Sequence, residues 1–185
     1  MTDPALRLRR VPTRELSGPE LVEIRALMDA AFAGGPDGDL TDDDWQHSLG
    51  GTHVVLDLDG VIAAHAAVVE REVRFGGRPL RTGYVEAVAT APDRQRTGLG
   101  SIVMADVGEL IRDHFEIGML GTGSLAFYER LGWRVWAGPS AIRRPDGLEP
   151  TPDEDGYLMV LITPATPLVD PLAPIDCDPR RGDSW

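Results

Sequence analysis

The chain has a single cysteine among 185 residues, no lysine, few aromatic residues and no apolar run long enough for a bilayer. One thiol, Cys177, cannot close an intrachain disulfide or build a thiolate metal cluster, and it suits a reducing cytoplasm. The longest apolar run, 61–69, is interrupted by His65 and falls far below the roughly 20 residues of a membrane helix, so no membrane span is expected. Arg7, Arg9, Arg10 and Arg14 resemble the charged start of a targeting segment, but no apolar stretch follows them. Alternating Leu6, Leu8 and Val11 read instead as a first strand with its arginines facing outward.

Positive charge is also scarce. Eighteen arginines face thirty acidic residues, giving a formal net charge of −12. That balance argues against a phosphate-backbone partner, so nucleic acid is not expected. A cationic small molecule is drawn toward such a surface, with on-rates raised about 10- to 10³-fold at low salt. His47, His53, His65 and His114 lack metal-site spacing and are read as core or surface histidines, so no metal is expected. Ser124 is read as a helix cap rather than as part of a Ser-His-Asp arrangement.

What is present centres on 84–100, YVEAVATAPDRQRTGLG. It places a strand-like alternation, a carboxylate within it, and the turn Gln95-x-x-Gly98-x-Gly100 directly before an amphipathic helix. Backbone N–H groups of that turn can converge on one anionic guest, so it reads as a phosphate cradle beside a proton acceptor, Glu86.

Ser17-Gly-Pro-Glu20 has capping-box spacing and opens a first helix with Leu21, Ile24, Leu27, Met28 and Ala31 on one face. Thr41 and Asp44 repeat the signal for a short helix, and an acidic loop that includes Asp37 lies between the two. Asp59-Gly60 marks a tight hairpin between strands 53–58 and 61–72, and 75–79 turns into a strand over 80–90. A helix follows over 98–114, with Leu99, Ile102, Val103, Val107, Leu110 and Ile111 as its apolar stripe. A short strand at 117–120, a short helix at 124–131 stopped by Gly132, and strands at 133–136 and 157–162 complete the series. The stretch 145–156 reads as a polar loop. Prolines 164, 167, 171, 174 and 179 are expected to keep the tail from regular structure, either disordered or strapped across the surface.

The order of elements predicts an α+β layer around one mixed, mostly antiparallel sheet flanked by helices. YVEAVAT with QRTGLG resembles the acetyl-CoA core of the GCN5-related N-acetyltransferases, the GNAT fold, whose loop pattern is Gln/Arg-x-x-Gly-x-Gly/Ala. AFYERLGW resembles their second signature. AFAGG, DDDWQHSLGG, IAAHAAVVER, TGYVEAVA, AGPSAI, TPDEDG and CDPRRGDSW resemble the aminoglycoside 2′-N-acetyltransferases, from Ala31 to the last residue. The expected organisation is one acetyltransferase domain, 1–163, with a Pro-rich strap, 164–185, packing on it and contributing to the substrate site.

The resemblance implies acetyl-CoA, or coenzyme A, as co-substrate. Val88, Ala89 and Thr90 would lie along the thioester and pantetheine, and Gln95, Arg96, Thr97, Gly98, Leu99 and Gly100 around the pyrophosphate. Glu86 is the expected base, since attack needs a neutral amine, and a solvent-facing carboxylate is the bland alternative. Tyr128 is implied as the acid for the departing thiolate, while packing against Phe127 and Trp133 explains it nearly as well. Arg94 and Arg96 read equally well as solvated loop residues. The resemblance maps Asp39, Asp44, Glu86, Ala87, Gly121, Asp153, Glu154, Asp183 and Trp185 onto substrate contacts, although acidic groups at 42–44 also suit a helix N-terminus.

The expected activity is transfer of acetyl to the 2′-amine of a polycationic aminoglycoside, conferring antibiotic resistance, by a cytoplasmic enzyme expected to be a homodimer. Cys177 lies in the tail, away from the cofactor motif, so direct attack is expected rather than an acyl-cysteine. Another amine, such as a polyamine, a cell-wall amino sugar or a peptide N-terminus, is an alternative substrate. A non-catalytic acetyl-CoA or drug-binding module is the alternative from another class.

Overall fold

Both serine and threonine start signals close complete capping boxes in the computed structural model, which describes residues 5–34 and 39–185. Asp37 lies outside the described residues. Ser17 accepts from the Glu20 N–H at the head of α1 (Gly18–Phe32), and the Glu20 carboxylate accepts from the Ser17 N–H at 2.9 Å. That carboxylate also takes the Ser17 hydroxyl and the Arg9 guanidinium, which together hold its pKa down at about 2. Thr41 and Asp44 exchange the same pair of bonds at the head of α2 (Asp42–His47).

The strands form a mixed sheet with flanking helices. The chain divides into two compact units, Met1–Val69 with Val85–Val107, and Glu70–Tyr84 with Gly108–Trp185. Three elements, β3 (Val61–Phe75), β4 (Arg78–Thr90) and α3 (Leu99–His114), run from one unit into the other.

In the first unit β1 (Leu6–Pro12) pairs antiparallel with β2 (Thr52–Leu58), and β2 pairs antiparallel with β3. The β2–β3 turn is Asp59-Gly60 with φ of 54° and 84°, the left-handed pair that a two-residue hairpin requires. Helix α1 buries Ile24, Leu27 and Met28 with Leu16, Val55, Ile62 and Ala89. The arginines of β1 do not all face solvent, for Arg9 is half-buried. Arg9 reaches Asp57 and Glu20, and Arg10 makes a bidentate pair with Asp106 of α3.

The second unit is built on β5 (Ile117–Gly121). It pairs parallel with β4 at Thr82–Tyr84 and antiparallel with β9 (Leu158–Ile162), which also carries β6 (Arg134–Val135). The short α4 (Leu125–Glu129) ends before Gly132, whose φ is 90°. Ser124 sits at the N-cap of α4, yet its side chain makes no cap bond; its N–H instead donates to the Thr122 hydroxyl.

Two expectations fail here. The stretch read as a polar loop contains half a hairpin, β7 (Ser140–Arg144) with β8 (Gly147–Pro150), turned at Pro145-Asp146. The proline-rich tail contains β10 (Ile175–Cys177), antiparallel to the end of β3 and parallel to β7. Its propensity is poor, but partners on both sides satisfy its backbone, and the Asp176 carboxylate pairs with Arg143. Within the helix read as an apolar stripe, Ile102 is 38% exposed and Met104 takes its place in the core at 1%.

Candidate active site

In the first unit, β4 continues beyond Tyr84 with Glu86, Ala87 and Val88 half-buried and Ala89 buried. Ala87 has φ of 55°, a left-handed conformation inside a strand. Such a conformation costs a non-glycine residue about 1–3 kcal/mol and persists only where its surroundings impose it. Ala87 packs against the core cluster of α1 and its carbonyl meets the first of two buried histidines. His65 Nδ1 lies 2.9 Å from the Ala87 carbonyl oxygen, His65 Nε2 lies 2.8 Å from His53 Nδ1, and His53 Nε2 lies 2.8 Å from the Thr13 hydroxyl. No feature of the sequence announced the kink, because alanine is unremarkable in a strand.

Burial pushes the pKa of His53 down to about 4 and that of His65 to about 3, the latter helped by its histidine neighbour. An unfolded histidine titrates near 6.5, so between that value and the folded values the unfolded chain binds protons that the folded chain refuses. Stability is therefore fully present well above pH 6.5 and lost as the pH falls. Urea unfolding is expected to give level values above about pH 7.5, a loss of about 0.4 kcal/mol per histidine at pH 6.5 and of about 2 kcal/mol per histidine by pH 5. Equal stability at pH 7 and pH 5 would show that the pair is not buried and neutral.

The cradle segment follows a 3-10 turn at Pro92–Arg94. Arg96 and Gly98 adopt φ of 61° and 95°, and a Cβ placed on Gly98 would meet nothing within 4 Å. Gln95, Arg96, Thr97 and Gly98 are exposed, while Leu99 is buried and anchors the first turn of α3. The Gly98 carbonyl accepts the Ile102 N–H at 3.1 Å and begins the helix. An exposed turn with open space at Gly98, set at the head of a 16-residue helix, fits a diphosphate. Arg94 is paired with Asp93 at 3.3 Å, as a solvated loop residue would be.

Three described acidic residues of this unit have local partners. Asp39 Oδ1 accepts the Gly34 N–H at 3.1 Å, and Asp42 pairs with Arg25 at 3.0 Å. Asp44 takes both of its cap bonds on Oδ2, so Oδ1 is not part of the cap.

In the second unit, Tyr128 is 7% exposed and packs edge-on against Phe127, at 4.9 Å between centroids, and against Trp133, at 6.3 Å. Burial pushes its phenol up to about 12. The remaining residues named from the sequence for this unit gather around the end of the chain. A Cβ on Gly121, at the end of β5, would lie 4.0 Å from the carboxyl carbon of Trp185 and 3.9 Å from the Tyr84 hydroxyl. Trp185 is 5% exposed and donates its indole N–H to the Thr151 hydroxyl at 3.0 Å. Its own N–H donates to Asp183 Oδ1 at 3.0 Å. Asp153, Glu154 and Asp183 are close enough that Glu154 is raised above the usual carboxylate range, first by burial and then by the charges of Asp183, Asp153 and Asp155.

Several residues that hold this arrangement were not singled out from the sequence. Arg180 donates to the main-chain oxygen of Trp185 at 2.9 Å, and Arg71 donates to the carbonyls of Ser184 and Asp178. Both guanidinium groups lie over the Tyr84 ring, at 4.7 Å for Arg71 and 5.5 Å for Arg180. Ser140 donates to Asp155 through both its N–H and its hydroxyl, fixing the acidic turn. Arg180 lies inside the CDPRRGDSW segment and Arg71 ends the IAAHAAVVER segment, so both were within reach of the resemblance, but their meeting across more than a hundred residues was not legible locally.

Comparison with known proteins gives a consistent set. A family model described as an acetyltransferase (GNAT) domain matches residues 12–136. The aminoglycoside 2′-N-acetyltransferase of Mycolicibacterium fortuitum is 38% identical over 181 residues, covering 96% of this chain and 91% of that protein. A GNAT family acetyltransferase from Brucella melitensis, solved in complex with acetyl-CoA, shares the fold at 19% identity with a TM-score of 0.59, covering 90% of this chain and 94% of that one. A GCN5-related N-acetyltransferase from Kribbella flavida shares it at 21% identity and a TM-score of 0.59, covering 74% of this chain, which spans about a third (34%) of that longer protein.

Proposed function

The chain belongs to the GNAT acetyltransferases, and we propose that within this family it transfers an acetyl group from acetyl-CoA directly to the 2′-amine of an aminoglycoside, conferring resistance. The near-full-length likeness to the Mycolicibacterium fortuitum enzyme supports this reading. The observation that carries it in the structure is the acidic group around Trp185, where Glu154 is raised first by burial and then by the charges of Asp183, Asp153 and Asp155. A single exposed ion pair is worth only about 0.2–1 kcal/mol, too little for selective capture. Converging carboxylates that already repel one another gain from a ligand presenting several ammonium groups on a semi-rigid frame.

Acetyl-CoA, when bound, supplies an activated acyl group. The amides of Gln95, Arg96, Thr97, Gly98, Leu99 and Gly100 hold its diphosphate, and Val88, Ala89 and Thr90 line the pantetheine. Val88 N–H is the proposed donor to the acyl oxygen; loss of such a donor typically costs about 2.7–4 kcal/mol. Glu86 removes a proton from the attacking amine, directly or through water. Tyr128 faces a departing thiolate of ordinary pKa about 8.5 with a phenol raised to about 12. Complete proton transfer from it runs uphill, so its part is that of a hydrogen-bond donor to the leaving sulfur. Asp39, Asp44, Ala87, Gly121, Asp153, Glu154, Asp183 and Trp185 are proposed as aminoglycoside contacts. A homodimer and a cytoplasmic location complete the reading, the first from the resemblance and the second from the single cysteine, which suits a reducing compartment.

Mass spectrometry of the product tests the assignment. Purified protein with acetyl-CoA is expected to add one acetyl group to an aminoglycoside bearing a 2′-amine, located by fragmentation on that ring, and to leave a 2′-hydroxyl analogue unmodified. Acetylation of a different amine, or a polyamine with a higher kcat/KM than every aminoglycoside, would overturn it.

A further inference from the structure

We propose that His53 and His65 form a positioning device for this reaction, a one-directional hydrogen-bond clamp from Thr13 to the Ala87 carbonyl that holds the kink next to Glu86. The inference rests on the acetyltransferase reading for its consequence, but its geometry stands alone.

The direction of the clamp follows from its last member. A carbonyl oxygen only accepts, so His65 carries its proton on Nδ1, 2.9 Å from the Ala87 oxygen. Neutral His65 then accepts at Nε2, which requires the proton of His53 to sit on Nδ1, 2.8 Å away. Neutral His53 in turn accepts at Nε2, and its neighbour there is the Thr13 hydroxyl at 2.8 Å. That hydroxyl has one proton and two claimants. The other is the Gly51 carbonyl at 3.1 Å, which already accepts the Thr13 N–H at 2.9 Å. The hydroxyl is itself oriented by the Gly50 N–H at 3.0 Å. The tautomer of each ring is therefore fixed, with the proton on Nδ1 of both His65 and His53. Both rings are buried, at 0% exposure, and burial keeps both neutral.

This pattern also decides what the pair does. A relay for catalytic protons would need a terminal group able to take a proton, and the chain ends on a peptide carbonyl. It is a clamp, and what it clamps is the peptide that follows Glu86 on one side and leads to Val88 on the other. Ala87 has no glycine freedom at φ of 55°, so the bond from His65 is what makes that conformation the stable one. The aim of the Glu86 carboxylate and of the Val88 N–H depends on it. Small misplacements of reacting groups cost about 10²-fold in rate.

The test uses the full chain. In 15N-histidine spectra at pH 7, His53 and His65 are expected as neutral Nδ1–H tautomers, the minority form in water; an Nε2–H tautomer or a cation at either ring would overturn the clamp. His65→Leu, which removes the donor, is expected to lower kcat at least about 10-fold with KM for both substrates nearly unchanged. His65→Asn, which keeps a donor near the Nδ1 position, should recover most of that loss. Equal rates for the two variants, or a wild-type kcat in the leucine variant, would overturn the positioning role. If the leucine variant fails to fold, His65→Gln decides: its amide reaches the Nε2 position but places no donor at the Nδ1 position, so a kcat equal to that of His65→Asn would overturn the proposal. A wild-type protein that shows both tautomers yet acetylates no amine sinks the functional reading alone, whereas activity with the wrong tautomers sinks this inference alone.

Discussion

Glu86→Gln is expected to lower kcat for aminoglycoside acetylation by about 10²- to 10⁴-fold while changing KM little. The amine of an amino sugar is mostly protonated in water and has no free lone pair, so an acceptor for its proton is part of the barrier. Glutamine keeps the length, planarity and hydrogen-bonding oxygen of Glu86 but cannot take the proton. Glu86 is half-buried on β4, one residue before the Ala87 kink, rather than on an exposed strand face. Steady-state thiol release at saturating acetyl-CoA checks the split between kcat and KM. An unchanged kcat would remove Glu86 from the chemistry and return it to the role of a strand carboxylate.

The contrast between Glu86 and its neighbour Ala87 shows where sequence reasoning reached and where it stopped. Features set by a few adjacent residues were legible. Asp59-Gly60 dictates its turn through backbone freedom, Ser17 and Glu20 dictate theirs through two reciprocal hydrogen bonds, and Gly132 stops a helix because it tolerates φ of 90°. The hairpin of β7 and β8 carried a signal that went unused, Pro145-Asp146-Gly147, a turn sequence between two short runs. Its second strand, exposed throughout, offered no apolar alternation to second it. Strand β10 had no local signal, since it is made by partners at Val73–Phe75 and Ser140–Ile142. The kink at Ala87 and the histidine pair are of the same kind. They join residues 13, 53, 65 and 87, each of which reads alone as ordinary core or strand.

The acidic chain end was reached from the sequence only through resemblance, and its energetics give the second large effect. Deleting Asp183–Trp185 is expected to raise KM for the aminoglycoside about 10- to 100-fold, each charge-assisted hydrogen bond being worth roughly 1.5–3 kcal/mol. The main-chain oxygen of Trp185 is already held by Arg180 at 2.9 Å, so the larger share of the loss belongs to Asp183, whose charge acts on Glu154. Deletion also removes an indole that is 5% exposed and bonded to Thr151, so affinity has to be separated from folding. Asp183→Asn makes that separation, because its side-chain oxygen can still accept the Trp185 N–H while the charge is gone. It is expected to leave the melting temperature unchanged, to raise KM about 10-fold and to weaken the salt dependence of KM, as the loss of one screened attraction requires. If the deleted protein keeps its full affinity for the drug, the chain end is a structural clasp and the polycation is held elsewhere.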